Sequence, residues 1–577
     1  ESKTQSSFDE SIVFSNYTLA EQNVFGIYTT FGQTNAHRAR YSVWYGINSD
    51  IEFYHSSGDP NAGVVPTANQ QMACYVGSVT NTSMNTSNGA YAMIYNGIEQ
   101  ANVVIKGLRN YGNVESDPQM AYLLGEALTM RAVLYYDLLR AWSDVPARFE
   151  PVTSETIYLP KSNRDVIYKQ LIADLQEAAP MVPWPNETAQ TSTVERVNKA
   201  YVKGLLARLC LVASGYAQRP DVLNSGSGAS SIRLSDDPEL SKAVLYPIAL
   251  NACQDVIESG TCALKPHFID VWKANMADVV SAGSESLFEI PYSNTRGRWM
   301  YTWAVRHVTA DKYIAASGYG GQGGPVANLF YDYDVKDERR DVTCVPFRWN
   351  NGVQELNGLS TWYFGKYRFE WMTRFAENTT DHGINPIYMR YSDVLLMAAE
   401  CANELNDLPK AKTYFKQVRE RAFPNNPEKV TEFMSSLGDK TAMFNAIVDE
   451  RAFEFCGEFV RKADLIRWNL LGSKMQEAKQ KMTDLSNQAG KYSDLQTNIY
   501  YKLNADGETL SFYGLNHGEL DNPGADWTGT TFIGPTKLTQ EKINGLYWQD
   551  PDKQQFWPIY QVYIDASAGA LVNDYTY

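Results

Sequence analysis

Residues 388–422 read YMRYSDVLLMAAECANELNDLPKAKTYFKQVRERA. Apolar residues recur at helical spacing from Tyr388 to Leu405 and again from Pro409 to Ala422. Asn406-Asp407-Leu408 leaves room only for a tight turn, so the two runs form a helical hairpin. Ala398, Ala399 and Ala402 on one arm and Ala411 on the other are small enough to let antiparallel helices approach closely. Downstream, Thr441 to Leu471 predicts one long helix or two, stopped at Gly472.

The same pattern fills the first 260 residues. Helices are predicted over 91–108, 121–142, 164–179, 198–216 and 245–259. Ser143-Asp144-Val145-Pro146, the Pro180 to Pro185 break and Gly260 separate them. Gly125, Ala127, Gly204 and Ala207 mark further close crossings. Helix pairs of about 34 residues resemble degenerate tetratricopeptide repeats, interrupted by other segments.

Residues 280–385 differ in kind. Gly and Pro punctuate them, and Phe288 to Phe375 holds 19 aromatics in 88 residues, about twice the density elsewhere. Aromatic richness argues against disorder, so a long irregular segment of this kind is expected to carry function. Residues 490–577 are similar, with Trp527, Trp548 and Trp557 among turns.

The 577 residues carry 51 basic and 66 acidic side chains, a formal charge of −15. That balance argues against nucleic acid, whose affinity comes mainly from neutralised phosphates, and against a basic membrane-surface helix. No apolar run is long enough to suggest a membrane span. Glu1 to Ser7 are polar, without Met or a signal-type apolar stretch, and read as a processed N-terminus that would suit a tether. Seven cysteines show no zinc-ligand spacing. Cys210, Cys401 and Cys456 read as buried thiols; one disulfide stays open.

Familiar catalytic motifs are absent: no HExxH, no GxSxG, no Walker loop and no EF-hand. Gly318 to Gly323 satisfies GxGxxG, but no clear strand precedes it and Pro325 follows, which predicts a mobile glycine-rich loop rather than a nucleotide site. Glu450, Glu454 and Glu458 recur at i, i+4, i+8 beside Arg451, Arg461 and Arg467. A carboxylate pair there could hydrolyse a glycosidic bond. Ion pairs that dock the helix against a neighbour are the preferred reading.

The aromatic loops suggest binding. A flat ring covers the C–H face of a sugar, and Asp, Asn, Gln or Arg bonds its hydroxyls. Candidates are Tyr292, Arg296, Trp299, Tyr301 and Trp303 (YSNTRGRWMYTW), then Trp362, Tyr363 and Trp371. A second cluster is Trp44, Tyr45, Asn48, Asp50 and Tyr54 (VWYGINSDIEFY), near the polar loop 81–88.

The chain resembles the RagB/SusD family of outer-membrane nutrient-binding lipoproteins along nearly its whole length. Tyr95 to Asn102 is similar to that family's Y-x-x-I-x-x-A-N helix, and Gly125 to Ala132 with Trp142 to Pro146 to its E-A-x-x-x-R-A…G-D-V-P segment. Asn198 to Ala213 resembles A-x-x-A-L-L-A-R-x-Y-L. Met389 to Glu400 resembles R-Y-A-E-V-L-L-x-x-A-E, with Val418 to Ala422 following. Glu450-Arg451, Glu454, Glu458, Arg461, Asp464-Leu465 and Arg467-Trp468 resemble E-R-x-x-E…E-x-x-R-x-x-D-L-x-R-W. Trp557-Pro558-Ile559-Tyr560 resembles the P-I-P motif, with Tyr where Pro is usual.

The resemblance implies a mainly α fold: a tetratricopeptide-like scaffold over 91–260 and 388–472, and a loop-rich ligand-binding part over 280–385 and 490–577, within one domain spanning 1–577. It implies a lipidated Cys ahead of Glu1, an oligosaccharide ligand captured without cleavage, and a TonB-dependent outer-membrane transporter as partner; no cofactor is expected. Some such proteins handle peptides instead. Asn48-Ser49-Asp50 is similar to a segment that often borders the pocket, which makes Asp50 the leading polar candidate. The ligand-binding set is therefore Asp50, Trp44, Tyr54, Tyr292, Arg296, Trp299, Trp303 and Trp362. Competing readings are a peptide binder, a helical-barrel glycoside hydrolase using Glu450 and Glu458, and a scaffold that binds only proteins.

Overall fold

The computed structural model describes residues 9–33 and 35–577; the polar lead Glu1 to Ser7, expected to serve as a tether, lies outside them. Helices Ala90–Tyr111, Pro118–Trp142, Arg164–Ala178, Lys199–Ala213 and Lys242–Ser259 each pack on the next. Their starts are chemically marked. Asp117 accepts hydrogen bonds from the amides of Gln119 and Met120 with Pro118 behind it, and Asn198 accepts from the Tyr201 amide. Gly97 permits the first crossing: a Cβ there would stand 2.7 Å from Leu134 Cδ1.

The stack continues across a long gap in sequence. Lys242–Ser259 packs on Tyr391–Glu404, which forms the expected hairpin with Leu408–Ala422 and then meets Lys440–Phe455. Everything between 260 and 386 is an excursion from the stack. Its neck is closed by an antiparallel pair, Ser286–Glu289 with Ile387–Arg390. Two short helices that the periodicity did not mark, Glu10–Ser15 and Tyr17–Tyr28, pack on Ala90–Tyr111.

The predicted Thr441 to Leu471 segment is two helices, Lys440–Phe455 and Arg461–Arg467. Gly457 (φ +83°) and Phe459 (φ +65°) turn the chain between them. Gly472 is not a stop. It lies in the first turn of Leu471–Ser486, its amide donating to Asp552 Oδ1 at 3.1 Å.

Charged residues of the recurrent motifs are joints between helices. Arg131 donates to Asp174 at 2.7 Å, Arg164 to Asp144, and Arg467 to both oxygens of Glu400. Asp393 accepts from Arg208 and Arg451. Glu454 accepts from Arg339, Arg390 and Arg421, and Glu458 from Lys366 and Arg390. Glu450 pairs with Arg339 and Arg419. All three glutamates are buried, and their cationic partners hold the Glu454 carboxyl well below its usual range despite burial. These carboxylates are ion-paired fasteners within the core, as the docking reading expected.

All seven cysteines are buried and free, and burial pushes the Cys210 thiol up to about 12. Among the described residues, no helix is long and apolar enough to cross a membrane. The main core is continuous from Phe14 to Leu571.

Candidate functional site

One cleft of about 240 Å³ collects residues from four separate segments: Arg40 and Trp44, Asn69, Arg298 with Tyr301 and Thr302, and Gln322. Each segment is placed by a short local structure. Trp44 rides on the Tyr41–Gly46 helix. Asn69 lies in the first turn of Ala68–Ala73, whose Thr67/Gln70 capping box pairs the Gln70 amide with the Thr67 hydroxyl and the Thr67 amide with the Gln70 side chain. Tyr301 and Thr302 lie on the Met300–Trp303 helix.

Backbone hydrogen bonds lock these pieces together. The Arg298 amide donates to the Arg38 carbonyl at 2.7 Å, the Gln322 amide to Thr302 O at 3.1 Å, and the His55 amide to Gln322 O at 2.9 Å. Strand Glu52–Tyr54 pairs antiparallel with Gly323–Pro325, Tyr54 opposite Gly323. Glycine is required at 324, because a Cβ there would sit 1.6 Å from the Trp362 carbonyl oxygen. The GxGxxG segment is therefore a packed return beneath the cleft: Gly320 lies against the carbonyls of Ala304 and Val305, and Gly321 against Tyr363. This corrects the expectation of a mobile loop. Positive φ at Gly318, Gly320 and Gly321 selects glycine there, and at Gly320 close backbone packing does so as well.

Two rings wall the cleft. Trp44 is 3 % exposed and meets Tyr54 edge-to-face at 5.0 Å. Tyr301 is half-buried, carries the Arg298 guanidinium over its face at 4.5 Å, and meets Tyr319 edge-on. The rim is rich in donors: Asn69, Gln322 and two arginines. Behind it, burial and the nearby Lys542 push His55 down to about 4, so its ring is neutral at physiological pH.

The two aromatic clusters singled out in the sequence thus meet here, through Trp44 and Tyr301, with Tyr54 behind Trp44. The other candidates do not line this cleft. Trp299, Trp303 and Trp362 are core side chains, 0–1 % exposed. Their indole N–H groups donate to the carbonyls of Ile384, Gly457 and Leu359 at 2.7–2.9 Å. The reason is physical. The excursion has little regular secondary structure, so it builds its core from large rings whose polar edges find backbone acceptors. Tyr292 is half-buried, folded over Gly297, with its hydroxyl on the Phe31 carbonyl. Arg296 is exposed on a turn outside the cleft. Asp50 is 9 % exposed and bonded twice by Arg461, bordering a different, charge-compensated cleft.

Sequence reasoning missed Arg40, Asn69, Arg298, Thr302 and Gln322. Arg298 and Thr302 stand inside the YSNTRGRWMYTW stretch. Asn69 and Gln322 carry no local signal, since only strand pairing and backbone bridges bring them near.

Two family models match separate parts of the chain: the SusD family over residues 348–577, and a model described as starch-binding associating with outer membrane over residues 30–211. SusD-like protein P25 of Formosa agariphila is 24 % identical over 467 residues, 73 % of this chain and 78 % of the relative. SusD-like protein P2 of the same organism is 26 % identical over 421 residues, covering 68 % and 74 %. Among solved structures, a SusD homolog from Bacteroides thetaiotaomicron superposes with a TM-score of 0.72 at 18 % identity, covering 97 % of both chains. Surface glycan-binding protein A from B. thetaiotaomicron, solved in complex with laminarihexaose, superposes with a TM-score of 0.61 at 18 % identity, covering 96 % of this chain and 99 % of that one. The fold is that of these SusD-like structures, mainly helical, and the chain belongs to the SusD/RagB family.

Proposed function

We propose that this protein captures oligosaccharide at the cell surface without cleaving it and delivers it to a TonB-dependent outer-membrane transporter, itself held to the membrane by an N-terminal lipid anchor. The observation that carries the binding step is the cleft in which Trp44 and Tyr301 form apolar walls beneath a rim of Arg40, Asn69, Arg298, Thr302 and Gln322. Apolar walls suit the C–H faces of a pyranose, and donors on the rim suit its hydroxyls. Each hydrogen bond exchanges with water for a net gain of about 0.5–1.5 kcal/mol, so affinity is modest. Membership in the SusD/RagB family and a protein of the same fold solved in complex with laminarihexaose support the same reading.

Non-cleavage is supported by the state of the acidic helix face. Glu450, Glu454 and Glu458 are buried and committed to guanidinium or ammonium partners, which suits neither a general acid nor a nucleophile open to substrate.

Isothermal titration against a glycan panel tests the reading, with a reducing-sugar assay on the same samples. Saturable saccharide binding without sugar release is expected. Saturable peptide binding with no glycan bound, or steady sugar release, would overturn it. Co-purification with a transporter from outer membranes tests the delivery step.

A further inference from the structure

The charge inside the cleft runs against the charge of the chain. The protein carries a formal −15, yet the charged side chains lining this cleft are Arg40 and Arg298. Among the described residues, neither makes an ion pair with a carboxylate. Arg40 spends its Nε–H on the amide oxygen of Asn35 at 2.9 Å. The Nε–H of Arg298 is buried without an acceptor. Asp381, beside the next arginine along, is already engaged by Arg38 Nε and Nη2 at 2.7 and 2.6 Å.

The two guanidiniums line the same cleft. Burial and the charge of Arg298 together push Arg40 below its usual range. The arrangement is rigid as well: the Arg298 backbone is bonded to Arg38 O, and its guanidinium is stacked on Tyr301. The contrast with the cleft beside Asp50 is instructive. There Asp332 pairs with Lys491 at 2.7 Å, and Glu477 with Lys474 and Lys481, so its charges neutralise one another.

Resting on the saccharide reading above, we infer that this cleft selects anionic sugars, a uronate carboxylate or a sulfate ester seated between Arg40 and Arg298. A neutral hydroxyl accepts a hydrogen bond but brings no charge to relieve two adjacent cations. A carboxylate or sulfate does both, and its oxygens match the planar fork of a guanidinium. Partial burial of the cleft keeps water from screening the attraction fully.

The test is calorimetry at low salt with two matched series. One is β-1,4-mannuronate tetrasaccharide against its carboxyl-reduced form; the other is a sulfated carrageenan tetrasaccharide against its desulfated form. At least one acidic member is expected to bind about tenfold or more tightly than its neutral counterpart, an advantage of about 1.4 kcal/mol. Which series shows it identifies the anion. Arg298→Gln and Arg40→Gln should erase that advantage while Arg298→Lys retains part of it, and 0.5 M NaCl should weaken the acidic ligand alone. The salt arm needs no variant, so a folding defect leaves the test intact. Equal or tighter binding of the neutral members, or binding of neutral glycans only, overturns the inference and leaves saccharide binding standing. Absence of any saccharide binding overturns both.

Discussion

Arg461 holds Asp50 by two hydrogen bonds of 2.8 Å, Nε to Oδ1 and Nη2 to Oδ2, across 411 positions of sequence. Both side chains are buried. The pair ties the loop ahead of the Glu52–Tyr54 strand to the first residue of the Arg461–Arg467 helix. Removing one member strands the other charge in the interior, at about 3–5 kcal/mol. Asp50→Ala is expected to lower unfolding free energy by that order in a urea titration, while the folded protein keeps its saccharide affinity. Lost affinity at unchanged stability would make Asp50 a ligand contact instead.

Tyr301 combines an apolar wall with a seat for Arg298. Truncating an aromatic contact of this kind costs about 1 kcal/mol or more in binding. Tyr301→Ala should therefore weaken saccharide binding by about fivefold or more in calorimetry, with Tyr301→Phe close to the parent. Equal affinities for all three proteins would move the site elsewhere.

Trp299 and Trp303 are packed against Tyr367 and Phe364 respectively, at ring distances of 5.0 and 4.4 Å. Replacing either by Ala empties core volume, for about 3–5 kcal/mol of stability; at Trp299 it also orphans the Ile384 carbonyl, whereas the Gly457 carbonyl keeps the Tyr367 hydroxyl. Thermal melts should show the loss. Titration of the folded fraction should show no change in ligand affinity, and a selective drop in affinity would return these rings to the ligand.

Glu52 gives the protein a pH signature. Burial pushes its carboxyl up to about 7, against the opposing hydrogen bonds from the Gly457 amide and the Ser49 hydroxyl. Between the ordinary value of 4.5 and about 7, the folded chain keeps a proton that the unfolded chain has released. Stability from this group is therefore full below that window, falls as pH rises through it, and is flat above. The lead of Glu52→Gln over the parent should grow between pH 4.5 and pH 8 by at most about 3 kcal/mol. Denaturant titrations at both values measure it; a lead that does not change with pH would show an unperturbed carboxyl.

How far the helical stack was legible follows from how helices announce themselves. The 388–422 hairpin carries its apolar period, its turn and its cap within 35 residues, and Asp407 does accept from the Lys410 amide. The break at Gly457 was less legible. Its cause is partly remote, since the Gly457 amide donates to Glu52 Oε1 and its carbonyl accepts from Trp303 and Tyr367.

The aromatic segment taught the opposite lesson. Trp44 and Tyr301, from the two aromatic stretches, do reach one cleft. Density alone could not tell a wall from a core, because Trp362 and Tyr301 have similar sequence neighbourhoods and opposite surroundings.

Local order alone thus settles the helices, their caps and the family motifs, because each depends on residues within a few turns of one another. Tertiary structure decides the cleft. Arg40, Asn69, Arg298 and Gln322 become neighbours only when Glu52–Tyr54 pairs with Gly323–Pro325 and Arg298 reaches the Arg38 carbonyl. Those are contacts between segments hundreds of residues apart, and which rings stay open, and which charges stay unpaired, is fixed only once they close.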